Sequence, residues 1–202
     1  MTNNWDRWPP RGDPTEEAVF VAVGRFLTKW EKLEMGCAEA YAAFVTMGSF
    51  ETTIAMRSFG TVSASRSRTD MLKQAAEAYQ FLGHEDGIRD HVGTLLNAYT
   101  DHASRRNEIA HGVVLRYANL TYALGEEVVG PVRPGFVLVP AEYNARKIHL
   151  NGAPKYVYDA AAIDRLVENF WLLQTEIRSV AVAIIKKHNP SYQSPLGDPE
   201  LA

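Results

Sequence analysis

Arg105-Arg106-Asn107-Glu108-Ile109-Ala110-His111-Gly112-Val113-Val114-Leu115 is the stretch on which the reading of the whole chain turns, because a helical period ends inside it and a strand period begins. Upstream, Ile88, Val92, Leu95 and Tyr99 step by three or four, the buried seam of a helix. Downstream, Val113, Leu115 and Tyr117 alternate as a strand does, so Gly112 is expected to end the helix. Extending the seam past Tyr99 lands near His102 and then on Arg106. A guanidinium cannot shed its charge to enter a core, so an inward arginine calls for an anion, a partner charge or a water-filled cleft. Asn107 and His111, four apart, share a face within hydrogen-bonding reach. Arg106 and His111, five apart, point about 140° away from each other on an ideal helix. A second copy of the helix across a two-fold axis would bring both kinds of side chain into one cleft.

Working outward, Asp159 is expected to cap a last helix whose Ile163, Leu166, Phe170, Leu173, Ile177, Val180 and Ile184 keep a helical step throughout. At the other end, Asp13-Pro14-Thr15-Glu16 reads as a helix start with Asp13 as the cap. The helix that follows carries Phe20, Val23, Leu27, Trp30, Cys37, Tyr41 and Phe44 on one face, interrupted at Glu34, supported by Leu33, and closed at Met47 by Gly48. Between Ser49 and Leu82 a piece with Phe50, Ile54 and Phe59 breaks at Gly60. A second piece, capped by Ser67 or Thr69, carries Leu72, Ala76, Tyr79 and Leu82. The serine and arginine run holding Arg66 and Arg68 is expected to be a solvated loop. Val113 to Tyr117, Phe136 to Val139, Ile148 to Leu150 and Tyr156 to Tyr158 are short strand-like runs between turns such as Gly130-Pro131 and Asn151-Gly152.

These signals predict a mainly α fold: an up-and-down bundle of four long helices, the second one broken, with a small antiparallel β-meander inserted at about 113–158 before the last helix. Residues 1–12 are expected to form a flexible arm on which Trp5 and Trp8 dock, 13–188 a single helical domain, and 189–202, with Pro190, Pro195 and Pro199, a disordered tail.

The chain has 202 residues, 46% hydrophobic, enough for one ordinary core. A net charge of −3 argues against coating nucleic acid by bulk charge, so a polyanion would have to meet a local patch. The single Cys37 excludes an intrachain disulfide and reads as a buried thiol. The first residues lack the apolar core of a signal peptide, and the apolar run Val180 to Ile185 is too short to span a bilayer, so the expectation is a cytoplasmic protein without membrane association. His84, Asp86, Asp90, His91, Asp101 and His102 follow no zinc spacing, and no glycine-rich phosphate loop or nucleophilic serine turn is present, so neither a metal nor a cofactor is expected.

Arg106-Asn107-Glu108-Ile109-Ala110-His111-Gly112 resembles the signature of HEPN-domain ribonucleases, an arginine followed after four to six residues by a histidine, with a polar residue directly after the arginine and a small one before the histidine. Here the interval is four. The resemblance covers about Pro14 to Lys187 at the level of helix order, the β insertion being the departure. It implies a metal-independent endoribonuclease acting across a homodimer cleft, with RNA as substrate, a cognate antitoxin protein as partner, and a role in toxin–antitoxin or antiviral defence. In that reading Arg106, Asn107 and His111 are catalytic, and Arg105 and His102 contact substrate more peripherally. The alternative is a non-catalytic HEPN-like dimerisation module that binds RNA or a protein partner.

Overall fold

A computed structural model of the chain describes residues 8–49, 52–118, 120, 133–148 and 154–192. It is mainly helical: α1 (Glu16–Thr46), α2 (Thr52–Gly60), α3 (Ser65–Phe81), α4 (Ile88–Ala110) and α5 (Ala160–His188). Strands β1 (Gly112–Arg116) and β2 (Phe136–Pro140) form a two-stranded antiparallel sheet before the last helix, as the change of period predicts. The chain divides into two compact units, Met1–Thr28 with Arg105–Glu168, and Lys29–Ser104 with Asn169–Ala202. No helix among the described residues is long and apolar enough to cross a membrane.

The first unit is built on the sheet. Its register pairs Val113 with Val139 and Leu115 with Val137, and Leu115, Val137 and Val139 pack with Trp8, Tyr117, Leu120 and Val157. Trp8 is therefore docked, as expected. Trp5, Phe50, the Gly130-Pro131 and Asn151-Gly152 turns and most of the expected tail, from 193 on, lie outside the described residues. The far edge of β2 is closed by short backbone pairings instead of the further strands of a meander. Phe136 exchanges two hydrogen bonds with Asp13 (2.9 and 2.8 Å), and Leu138 exchanges two with Tyr158 (2.8 and 2.9 Å). Ile148, the described residue of its run, forms a bridge to Pro154. Gly12 and Gly135 meet so closely that a Cβ on either would lie 2.5–2.8 Å from the other segment's backbone, which explains why two glycines stand there.

Two expectations for α1 are corrected. Its cap is Thr15, whose Oγ1 accepts the Ala18 N–H at 3.3 Å. Asp13 instead points its carboxylate at the start of α5, where Oδ2 accepts the Ala160 N–H at 2.7 Å beside the Asp159 Oδ1 bond to the Ala162 N–H at 2.7 Å. The other correction is the buried seam of the first turns, which is Val19, Ala22 and Phe26; Phe20 is 53% exposed. Counting toward the N-terminus from Trp30 by four or by three gives either series, and Ala22 carries too little apolar signal to decide between them.

The second unit is helical. Trp30 packs edge-on against Phe170 and at a tilt against Tyr99, and Phe44 meets Tyr79 edge-on. The seams read from the sequence hold: Ile88, Val92, Leu95 and Tyr99 are buried on α4, and Phe170, Leu173, Ile177, Val180 and Ile184 on α5. Glu34, the interruption in the α1 seam, is buried yet fully engaged. Tyr99 Oη donates to its Oε1 at 2.5 Å and Arg68 Nη1 to its Oε2 at 2.7 Å. Arg68 thus belongs to a helix and an ion pair, not to a solvated loop, and α3 begins at Ser65 without a side-chain cap, two residues or more before the expected Ser67 or Thr69. The pairing of Glu34 with Arg68 and of Phe44 with Tyr79 makes α3 run in the same direction as α1. The broken second helix is therefore two helices with a reversal between them. Burial, with the Glu34 charge second, pushes the Cys37 thiol well above its ordinary range, so it is inert packing.

Asp13→Ala should lower stability by about 1 kcal/mol through loss of a helix cap. The measurement is a urea transition, where the midpoint should fall at unchanged slope. An unmoved midpoint would show that Asp159 alone suffices to cap α5.

Candidate functional site

The last two turns of α4 and the residue after them hold the motif. Ile109 is buried at 1% exposure, which anchors this end of the helix and rotates the neighbouring side chains to fixed faces. Glu108 is carried inward with it, 6% exposed, and a buried carboxylate needs donors. It has three: Tyr158 Oη at 2.7 Å, Arg105 Nη1 at 2.8 Å and Lys147 Nζ at 2.9 Å. Its backbone carbonyl accepts a fourth bond, from Tyr156 Oη at 2.8 Å. Burial alone would raise the Glu108 pKa. The bonds from Lys147, Tyr158 and Arg105, with the Arg105 charge, outweigh it and hold the carboxyl below its ordinary value. Burial, and then the Glu108 charge, push the Tyr156 phenol up to about 12, so it stays a donor at neutral pH.

Arg105 is therefore committed to Glu108 and Tyr158. Arg106 is not. It is half-buried, its Nη1 donates to Asn107 Oδ1 at 3.2 Å, and its Nε is buried without a hydrogen-bond partner. Asn107 and His111 are exposed. Asn107 gives its side-chain oxygen to Arg106, and its link to His111 runs through the backbone, the His111 N–H donating to the Asn107 carbonyl at 3.2 Å. Helix α4 ends at Ala110, His111 occupies the turn, and Gly112 opens β1 instead of merely closing the helix. A Cβ at Gly112 would come within 2.8 Å of the Leu138 side chain.

His102 lies in the other unit, half-buried and edge-on to Phe170 with ring centroids 5.0 Å apart. Burial lowers its pKa against the opposing pull of Asp101, so it is a neutral packing ring at pH 7. The residues that sequence reasoning missed are Glu108, Lys147, Tyr156 and Tyr158. Only Glu108 carried a visible signal, a carboxylate three residues after Arg105 and adjacent to an apolar seam position. Among the described residues no group of three His, Cys, Asp or Glu side chains is placed to hold a metal ion. No protein-family model, curated protein or solved structure matches the chain.

Because the folded-state pKa of Glu108 lies below its ordinary 4.5, its stabilisation is fully present above that value and is lost as pH falls through the folded-state value. Glu108→Gln should cost about 2 kcal/mol at pH 7, since it weakens hydrogen bonds to a charge and leaves Lys147 and Arg105 unpaired. Urea unfolding at pH 7 and pH 3 should show the gap between variant and native protein closing in acid. A gap that is constant across that range would remove the linkage.

Proposed function

We propose that this chain is an endoribonuclease that cuts RNA without needing a metal ion, the substrate's own 2′-hydroxyl attacking the neighbouring phosphorus. The observation that carries the reading is the buried, unpartnered Nε of Arg106 on a guanidinium whose Nη1 is steadied by Asn107. A buried donor without a partner costs about 1–3 kcal/mol, and a phosphate oxygen reaching this half-buried guanidinium would remove that cost while using the bidentate geometry of arginine. One turn on, His111 stands exposed at the end of the helix, with an imidazole suited to proton transfer near neutrality.

In the reaction one imidazole takes the 2′-hydroxyl proton as the oxygen bonds to phosphorus. Arg106 neutralises the five-coordinate phosphorane, and the 5′-oxygen leaves with a proton returned by a second imidazole, giving a 2′,3′-cyclic phosphate and a 5′-hydroxyl. Two imidazoles and the divergence of Arg106 and His111 along α4 both call for a homodimer. Trp171 and Leu172 of α5, 46% and 55% exposed, offer apolar surface for it. The setting proposed is the cytoplasm, in toxin–antitoxin or antiviral defence, with a cognate antitoxin as the restraining partner.

One observation favours the alternative, a module that binds RNA or a protein partner without cutting. An open groove of about 620 Å³ lies between α3 and α4 and does not include the motif.

Cleavage of single-stranded RNA should continue in excess EDTA, and a 2′-deoxy nucleotide on the 5′ side of the cut should block it there. His111→Ala and Arg106→Ala should each lower the rate by at least about 100-fold with the fold intact, and Asn107→Ala by less. Loss of cleavage on chelation, cutting of an all-deoxy strand, or a monomer in light scattering would sink the mechanism.

A further inference from the structure

The cavity between α3 and α4 is lined in a way that the motif does not explain. On α3 the lining positions Arg66, Thr69, Asp70 and Lys73 fall at the spacing of one helix face. On α4 the lining runs from Arg89 to Ala103, about 21 Å of helix at 1.5 Å per residue. Gly93 lies within that run, where an added Cβ would meet nothing within 4 Å. Two neighbouring helices thus flank an unfilled groove instead of closing on each other, and Arg66, Lys73 and Arg89 on its walls are exposed to solvent. Arg66 and Lys73 enter no ion pair among the described residues; Arg89 makes only a loose one to Glu77 at 3.8 Å. Three cations, Arg66, Lys73 and Arg89, share the walls with the carboxylates of Asp70 and Asp90.

We infer that this groove is a track for a single strand of RNA, with Arg66, Lys73 and Arg89 meeting phosphates and Asp70 and Asp90 accepting hydrogen bonds from ribose hydroxyls. The inference rests on RNA as the ligand of the proposed nuclease and says which surface holds it. The mixture of charges suits a ligand that presents acceptors and donors in turn, as a ribose phosphate strand does with its phosphates and 2′-hydroxyls. A free nucleotide fits less well. The one aromatic lining residue, Tyr99, is 1% exposed and held by Glu34, so no ring is offered for a base to stack on. A strand gains its affinity from many phosphates summed along its length, and binding without stacking should be tolerant of base sequence and sensitive to salt.

The test is fluorescence anisotropy of the full-length protein with a labelled uridine octamer and its deoxy counterpart. An Arg66→Gln/Lys73→Gln double variant should bind the RNA at least about tenfold more weakly, and the slope of log affinity against log salt should be shallower by about 0.7 for each phosphate left without its cation. Lys32→Gln, on exposed α1 surface outside the groove, should leave binding unchanged. Asp70→Asn should reduce the preference for RNA over DNA, and circular dichroism should show all variants folded. Unchanged RNA affinity in the double variant, an equal loss in Lys32→Gln, or displacement of the octamer by uridine monophosphate at micromolar concentration would overturn the inference. The two proposals fail separately. Groove-dependent binding without any cleavage would retire the nuclease while keeping the track, and cleavage with affinity indifferent to the groove would do the reverse.

Discussion

Glu108 is the residue on which the sheet-bearing unit depends. A carboxylate drawn inside by the burial of Ile109 must be met by donors, and every donor comes from a different place: Arg105 from the preceding turn, Lys147 from the short 3₁₀ turn Ala145–Lys147, and Tyr158 from the bridge to β2. Tyr156 adds a bond to the carbonyl of the same residue, which the ending helix would otherwise leave unsatisfied. The insertion is thus tied to the end of α4 through one side chain and its own backbone. That tie also decides which arginine of the pair is available for an anion. Arg105 is held, and Arg106 keeps a donor in reserve.

What the sequence disclosed well was periodic and local. The seams of α4 and α5, the helix-to-strand change at Gly112 and the burial of Cys37 each follow from residues close together in the chain, where a 3.6-residue or 2-residue period is directly visible. The partly inward position of Arg106, with its Nε buried, follows from the same period. What stayed hidden was long-range. Nothing near Asp13 says that its carboxylate serves a helix that begins at Ala160, and nothing near Arg68 says that Glu34 waits for it. An arginine among serines reads as solvated until its partner is brought beside it. The strand-like run at Tyr156 has a comparable cause for giving a bridge to β2 instead of a named strand: it has the right composition, but backbone pairing depends on a neighbour that composition does not specify.

The two buried acids show two uses of the same chemistry. Glu34 lies among aromatic rings in the helical unit, with one phenol and one guanidinium on its two oxygens, and the arrangement fixes which way α3 packs. Glu108 recruits a larger set and fixes a site. In both cases the cations involved, Arg68 for Glu34 and Arg105 and Lys147 for Glu108, are engaged by a buried carboxylate.

The double capping of α5 also bears on how the chain reaches its fold. The Ala160 N–H is bonded to a side chain 147 positions earlier, so one of the two caps of the last helix is supplied from the far end of the chain. That bond can form only where the segment around Asp13 lies along β2. Closing so long a loop is an entropic cost met late, after the nearby helix pairings of the other unit can already form. On a ribosome the same geometry means that an early segment stays uncommitted until nearly all of the chain has emerged. A helix that looks self-sufficient by its own periodicity therefore takes part of its first turn's stability from a distant segment.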